Sequence, residues 1–398
     1  MWPVMGMKLR EVGSAEVKGK RVLVRADLNV PLADGEVADD FRIQAALPTL
    51  RWLLERGARV GVCSHLGRPK GKVAPEFSLA PVAKRLSQLL GQEVRLLPDC
   101  VGEEVRRAVE GLGEGEVVLL QNLRFHPGEE ENDPAFAREL SAPFDLFVND
   151  AFGTAHRAHA STVGVTGYLP AYAGYLVARE VEVLGGITEN PRRPYYVLVG
   201  GKKAADKLGV LTDLLERVDG FLVGGGVAFT FLRAKGYSVG NSVVDEGLVP
   251  TIVNLVRRAY ERGTLLLLPR DVVVVQDPKS TEPQVVQAER IPEGWMGLDI
   301  GPETVRIFSE KLKGAGTVVW TGPMGAFERP QFARGTEAIA HALAEAEAFT
   351  VVGGGETGEA VMQLGLGDRF SHLSTGGGAT LEFLRGKPMP ALEPLRLV

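Results

Sequence analysis

Residues 195–211, YYVLVGGKKAADKLGVL, decide the fold class. Tyr195 to Val199 is an unbroken apolar and aromatic run, as in a strand buried on both faces. Gly200 and Gly201 interrupt it, and a helical pattern follows. A strand, a glycine turn and a helix in that order begin a βαβ unit. The same grammar recurs on either side. Downstream, strands are expected at GFLVGG (220–225), TLLLLP (264–269), TVVWTG (317–322) and FTVVGGG (349–355). Upstream, they are expected at RVLVRADL (21–28), ARVGVCS (58–64), VRLL (94–97), EVVLLQN (116–122) and DLFVND (145–150). Amphipathic stretches lie between, such as LPTLRWLLERG (47–57) and LAPVAKRLSQLLG (79–91), each ending in a glycine suited to a helix C-cap. This alternation predicts parallel sheets covered on both faces. The stretch TGYLPAYAGYLVAREVEVLGGI (166–187) predicts a connecting helix that ends at Gly185-Gly186.

Composition agrees with two α/β lobes around a cleft. The chain has 398 residues, more than one ordinary core accommodates. Hydrophobic residues make up 45% and charged residues 24%, a globular balance. A net charge of −5 disfavours non-specific nucleic-acid binding. Cys63 and Cys100 are the only cysteines, which argues for a reducing compartment rather than a disulfide scaffold. No apolar run has the roughly 18 residues that span a bilayer, and MWPVMGMKLR (1–10) lacks a signal-peptide core. The expectation is a cytoplasmic protein with no membrane or nucleic-acid partner. Met1, Met5 and Met7 are alternative starts.

In open α/β sheets, ligands bind beyond the carboxyl ends of the strands. Four loops of the first half carry cationic groups there. Asp27, Asn29 and then Arg42 follow the first strand; His65 and Arg68 follow the second; Arg124 and His126 follow the fourth. The fifth is followed by NDAFGTAHRAHAST (149–162), with His156, Arg157 and His159. One loop arginine is commonly a surface residue. Four such loops at one sheet end describe an anion pocket, and the arginine fork suits phosphate or carboxylate. Metal ligation by His156 and His159 is disfavoured, because the four histidines, His65, His126, His156 and His159, are spread over different loops without supporting thiols and with few carboxylates among them. One of the two can be structural.

The second half collects glycines and lysines. Gly200, Gly201, Lys203 and Lys207 lie at the opening turn, and glycines recur in GGGVAFTFL (224–232), TGPMGAFE (321–328), GGGETGEA (353–360) and STGGGAT (374–380). Bare backbone N–H groups at helix N-termini are ready anion sites. A tight turn alone accounts for any single loop. No G-x-x-x-x-G-K-[ST] occurs, and GGGETG (353–358) sits too late in the chain for a dinucleotide fingerprint. Glu356 offers an acidic group where Mg²⁺ could sit. Arginine and histidine for a small anion, with lysine and glycine amides for a polyphosphate, suit phosphoryl transfer.

The strings RVLVRADLNVPL, SHLGRP, NLRF, NDAFGTAHRAHAS, GGKKAADKLGVL, GGGVAFTFL, LDIGPET, TGPMGAFE and STGGGAT resemble phosphoglycerate kinase, in that family's order and over nearly the whole chain. The resemblance implies two Rossmann-like doubly wound lobes joined by a hinge helix. The N-terminal phosphoglycerate-binding lobe would cover 1–172, the hinge helix 173–187 and the nucleotide-binding lobe 188–375. Residues 376–398 would return to the first lobe. The implied substrate set is Asp27, Leu28, Asn29, Arg42, His65, Leu66, Gly67, Arg68, Arg124 and Arg157. The implied nucleotide set is Gly201, Lys203, Lys207, Gly225, Gly297, Glu328, Gly354, Gly355, Glu356 and Thr357, with Glu328 on the ribose hydroxyls and Glu356 toward Mg²⁺. Arg42, Lys203, Lys207 and Gly377 would be catalytic, with Gly376, Gly377 and Gly378 opening a helix toward the transferring group. The implied reaction is reversible transfer between 1,3-bisphosphoglycerate with Mg-ADP and 3-phosphoglycerate with ATP. It belongs to glycolysis and gluconeogenesis and proceeds in a monomer whose lobes close.

Three positions depart from the family pattern. Lys202 replaces the alanine of GGAK, Glu356 the aspartate of GGGD, and Thr321 the asparagine before Gly-Pro. Two other readings compete. A two-lobed binding protein for a phosphorylated metabolite would carry a secretion signal and would not need the lysine-and-glycine loops. An NAD-dependent dehydrogenase using GGGETG would need a hydride-transfer site, for which no residues stand out.

Overall fold

The computed structural model describes residues 6–277, 279 and 282–397. Met1 and Met5, two of the alternative starts, lie outside them. The chain divides into two compact units. The first runs to Gly185 and takes in the segment from Gly386 onward; the second is Gly186–Arg385.

The first unit opens with β1 (Arg21–Ala26), the small hairpin β2 (Leu32–Ala33) and β3 (Glu36–Val37), and α1 (Phe41–Glu55). There follow β4 (Arg59–Cys63), α2 (Ala80–Leu90), β5 (Arg95–Leu96), α3 (Glu103–Glu110) and β6 (Val117–Leu119). The short α4 (Pro127–Glu130), α5 (Pro134–Ser141), β7 (Leu146–Asp150) and β8 (Ala171–Ala173) complete it before α6 (Tyr175–Glu189). Six strands form one sheet in the order β5-β6-β4-β1-β7-β8, and every pair is parallel. Val22 of β1 lies against Val60 and Leu146 in register, so the apolar runs stack into the core with Ile43, Leu50, Leu53 and Leu86 of α1 and α2. Gly91 caps α2 in the left-handed conformation, its N–H returning to the Ser87 carbonyl at 2.9 Å.

Three details differ from expectation. The helix read over 47–57 already begins at Phe41 and runs through Pro48. Arg42 therefore stands in a helical first turn rather than in a loop. The connecting helix does not end at Gly185-Gly186 but continues to Glu189. The returning segment starts at Gly386 rather than 376, because the helix between, α13 (Gly378–Leu384), packs on the second unit; Arg385 pairs with Asp213 at 2.7 Å. From Gly386 on, the chain hydrogen-bonds within the first unit: Ala391 N–H to the Ala155 carbonyl at 3.2 Å, and Arg10 N–H to the Leu395 carbonyl at 2.7 Å.

The second unit runs β9 (Tyr195–Val199), α7 (Ala205–Leu214), β10 (Gly220–Val223), α8 (Gly225–Ala234), β11 (Ser238–Val239), α9 (Val249–Arg262) and β12 (Leu265–Leu267). It continues with β13 (Asp271–Val275), β14 (Gln284–Gln287), β15 (Arg290–Ile291), β16 (Met296–Ile300), α10 (Pro302–Lys313) and β17 (Thr317–Thr321). Then come α11 (Arg334–Ala344), β18 (Phe349–Gly353), α12 (Gly355–Gln363), β19 (His372–Ser374) and α13. Its main sheet, β12-β10-β9-β17-β18-β19, is again parallel. An antiparallel sheet β14-β13-β16 accompanies it, which the sequence reading did not anticipate. The fold class is the expected one: α/β, two doubly wound parallel-sheet units. Among the described residues, no helix is long and apolar enough to cross a membrane.

Asp299 at the end of β16 is buried, and its carboxylate accepts the N–H groups of Ile300 and Gly335, each at 2.8 Å. Burial nevertheless pushes its pKa up to about 7. A carboxyl raised in the folded state holds a proton that the unfolded chain has released. Stability is therefore fully present below about pH 4 and falls as pH rises through 7, by up to about 4 kcal/mol at 1.36 kcal/mol per unit. Asp299→Asn should flatten this slope between pH 5 and 8 in urea unfolding. An unchanged slope would remove Asp299 as its source.

Candidate active site

In the first unit, the loops after β6, β4, β1 and β7 come from four adjacent strands of the sheet. Each supplies an expected residue. Asp27, buried after β1, accepts Arg42 Nη1 at 3.1 Å, and the same nitrogen donates to the Asn29 carbonyl at 3.2 Å. Asn29 Oδ1 accepts Gly67 N–H at 2.9 Å and so ties the β1 loop to the β4 loop. The Gly67 carbonyl accepts Arg124 Nη1 at 2.9 Å, which adds the β6 loop. Leu28 N–H is held by Ser64 Oγ at 2.9 Å, and Leu66 N–H by Asn122 Oδ1 at 3.3 Å.

Arg124 is only 3% exposed. Its Nε and Nη2 are buried without a hydrogen bond, although Nε lies 3.4 Å from Glu130 Oε1. Buried guanidinium donors are costly to leave unmatched, and Nε and Nη2 remain able to donate. The charges also converge electrostatically. Burial, then Arg25, Arg124, Arg42 and His159, hold the His65 pKa well below its ordinary value. Burial, then Arg25, Arg124, Arg157 and His156, bring His159 down to about 4. Both imidazoles are therefore neutral at pH 7. Arg157 Nε donates to His156 Nε2 at 3.1 Å.

Two expected members are not gathered in. Arg68 is exposed, and no hydrogen bond or ion pair joins it to the others. His126 turns to Asp99 at 2.7 Å and stacks on Phe136 with centroids 5.2 Å apart, so it braces α5 rather than joining the arginine cluster. Asp99, Cys100 and His126 bring donor atoms within 4.8 Å of one another. The Asp99 carboxylate already takes both His126 Nε2 and the Cys100 N–H at 2.6 Å. Sequence reasoning missed Arg25, Asn122, Glu129 and Ser161, all buried beneath the loops. An arginine inside the apolar run VLVRADL was the available signal, because a charge at a core position needs partners.

In the second unit, the turns after β9, β10, β17 and β18 form the corresponding edge. Gly201 N–H donates to the Pro323 carbonyl at 2.9 Å, and Gly225 N–H to the Met324 carbonyl at 3.0 Å. Lys207 is half-buried. Its ammonium donates to Thr321 Oγ1 at 2.8 Å, and burial lowers its pKa against the opposing pull of Asp206 and Glu356. Thr357 Oγ1 accepts Gly322 N–H at 2.7 Å. Gly354 precedes α12 with φ +118°, and Gly355 and Glu356 open that helix. Gly377 precedes α13 with φ +51°. Lys203, Glu328 and Glu356 are exposed. Gly297 lies within β16, where a Cβ would overlap the Phe229 ring.

A family model described as phosphoglycerate kinase matches residues 12–387. A curated phosphoglycerate kinase of Moorella thermoacetica is 54% identical, with 96% of this chain and 97% of that protein aligned. The chain belongs to the phosphoglycerate kinase family. One from Pelotomaculum thermopropionicum is 53% identical over 98% of this chain and 99% of its own length. Among solved structures, the phosphoglycerate kinase of Coxiella burnetii has a TM-score of 0.84 at 41% identity, over 98% of this chain and 99% of that one. That of Pyrococcus horikoshii has a TM-score of 0.88 at 35% identity, over 97% and 98%. The protein is thus a kinase, a phosphotransferase with a nucleotide substrate. Against that family, Thr321 has a definite place here, since its hydroxyl anchors Lys207.

Proposed function

We propose that this kinase moves a phosphoryl group, reversibly and in line, from the acyl phosphate of 1,3-bisphosphoglycerate to Mg-ADP, giving 3-phosphoglycerate and ATP. The observation that carries the reading is Arg124, a buried guanidinium with unmatched donors set among Arg42, Arg157 and two neutral histidines. A three-carbon phosphorylated carboxylate fits that charge. Asp27, Leu28, Asn29, Leu66 and Gly67 shape the loops around it, and Arg68, exposed and without an ion pair among the described residues, is available to fold over a ligand. Lys203 and Lys207, with the Gly201, Gly225, Gly297 and Gly354–Thr357 positions, would hold the nucleotide, with Glu328 on the ribose. Gly377 would let the backbone before α13 turn toward the transferring group.

Mg²⁺ arrives with the nucleotide as substrate. Its usual holding, one or two carboxylates plus phosphate oxygens and waters, suits Glu356, which is exposed in the first turn of α12. The ion would neutralise phosphate charge. Arg42 and Lys203 would stabilise the charge spread over the equatorial oxygens. No general base is needed, because the accepting phosphate is already an anion. Donor and acceptor bind to separate units, so a domain movement belongs to the cycle. The same reading makes the enzyme a cytoplasmic monomer.

The test is a coupled assay with 3-phosphoglycerate and Mg-ATP, in which glyceraldehyde-3-phosphate dehydrogenase oxidises NADH as 1,3-bisphosphoglycerate forms. Mg-dependent turnover is expected; no turnover and no binding of either substrate would overturn the reading. In the same assay, Arg157→Ala should raise KM for 3-phosphoglycerate about tenfold or more with little change in kcat. An unchanged KM would take Arg157 out of the site.

A further inference from the structure

Arg25 is fully buried in β1, and one of its hydrogen bonds reaches His65. Its Nε donates to Ser161 Oγ at 2.8 Å, its Nη1 to the Ala26 carbonyl, and its Nη2 meets His65 Nδ1 at 3.1 Å. Ser161 Oγ in turn donates to Glu129 Oε1 at 2.6 Å, while Ser161 N–H donates to Oε2 at 2.9 Å. Glu129 and Ser161 are as buried as Arg25. A buried cation and a buried anion are thus joined through one hydroxyl, with the cation locked in orientation.

The lock has a consequence for His65. A guanidinium has donors only. The ring nitrogen facing Nη2 must therefore be an acceptor, so Nδ1 carries no proton. The nearest carboxylate, Asp27 Oδ1, is 4.0 Å from Nδ1, too far to claim a proton there. The charges around the ring are Arg25 from β1, Asp27 after it, Arg42 from α1, Arg124 after β6 and the neutral His159 after β7. Cations dominate, and they oppose a second proton on the ring.

We infer that Arg25, held by Ser161 and Glu129, is a positioning residue that fixes His65 as the neutral Nε2–H tautomer, so that His65 offers the phosphoglycerate a neutral N–H donor rather than a charge. This rests on the substrate reading of the first unit. A neutral donor adds a directed hydrogen bond without repelling the three arginines, and it keeps that bond independent of pH between 6 and 8.

The test is long-range proton–nitrogen NMR on the full chain labelled at histidine, with the His65 signals assigned by their loss in His65→Gln. One pyridine-type Nδ1 and one pyrrole-type Nε2, unmoved from pH 5.5 to 8, are expected. An imidazolium or an Nδ1–H ring at pH 7 overturns the inference. Arg25→Gln removes the donor-only group and can turn an amide oxygen, an acceptor, toward Nδ1. It should bring the other tautomer into the His65 spectrum and raise KM for 3-phosphoglycerate about tenfold, with kcat within about threefold. An unaltered tautomer in a folded Arg25→Gln also overturns it. If that variant does not fold, the native spectrum alone decides. If the tautomer is as inferred but 3-phosphoglycerate leaves His65 Nε2 unshifted, the tautomer stands, and the failure is of the substrate reading and of the role drawn from it.

Discussion

Arg42→Ala is expected to lower kcat by about three orders of magnitude while changing KM for 3-phosphoglycerate by less than about tenfold. Arg42 stands in the first turn of α1, with one guanidinium nitrogen spent on Asp27 and on the Asn29 carbonyl. That anchoring fixes the plane of the fork and leaves Nη2 and Nε to donate to a ligand. A donor held in advance costs no reorganisation when charge develops on the transferring group, so its removal falls on the transition state more than on binding. Arg42→Lys should recover little, because a point charge cannot both satisfy Asp27 and present a second directed donor. The alternative cause, a collapse of the loop around the buried Asp27, is separable. Urea unfolding would show a stability loss, and 3-phosphoglycerate binding by calorimetry would fall with kcat. A kcat near that of the native enzyme would end the transition-state role.

The parallel core was legible because strands buried on both faces are largely apolar, even where one carries a buried polar group such as Arg25 or Asn149. Tyr195–Val199 and Leu146–Asp150 leave no residue exposed, and their runs cannot be mistaken for loops. β14 has only one half-buried residue, so QVVQ carries no such mark, and the antiparallel sheet went unread. Gly185-Gly186 misled because glycine costs only about 1 kcal/mol inside a helix, which tertiary packing outweighs. At the site, loop arginines were legible as charges out of place. Their supports were not: Glu129 stands in the run GEEEND and Ser161 in AHASTV, where nothing in the sequence separates a buried side chain from its solvated neighbours. Only the fold shows that Arg25, Ser161 and Glu129 meet.

Gly200→Ala is expected to cost the second unit about 3 kcal/mol and to weaken nucleotide binding about a hundredfold, leaving 3-phosphoglycerate affinity within about twofold. The turns after β9, β10 and β17 are in backbone contact. Gly200 N–H donates to the Thr321 carbonyl at 2.8 Å, Gly201 N–H to Pro323, and Gly225 N–H to Met324. A Cβ on Gly200 would overlap the Pro323 carbonyl oxygen and come within 2.8 Å of the Met324 methyl. Side chains can rotate away from such a clash, but a backbone carbonyl held in a ladder of hydrogen bonds cannot. The turn after β17 would have to move, and Thr321 with it, taking away the hydroxyl that anchors Lys207. The control is Gly314→Ala, where a Cβ meets nothing within 4 Å, and a change below about 0.5 kcal/mol is expected. Calorimetry with Mg-ADP and with 3-phosphoglycerate, run on both variants, separates the outcomes. Unchanged Mg-ADP affinity in a folded Gly200→Ala would mean that the nucleotide does not depend on this junction. Loss of both ligands together would mean that the two units do not hold their substrates independently. Loss of the nucleotide alone would tie the polyphosphate to the glycine turns, where the backbone itself supplies the donors.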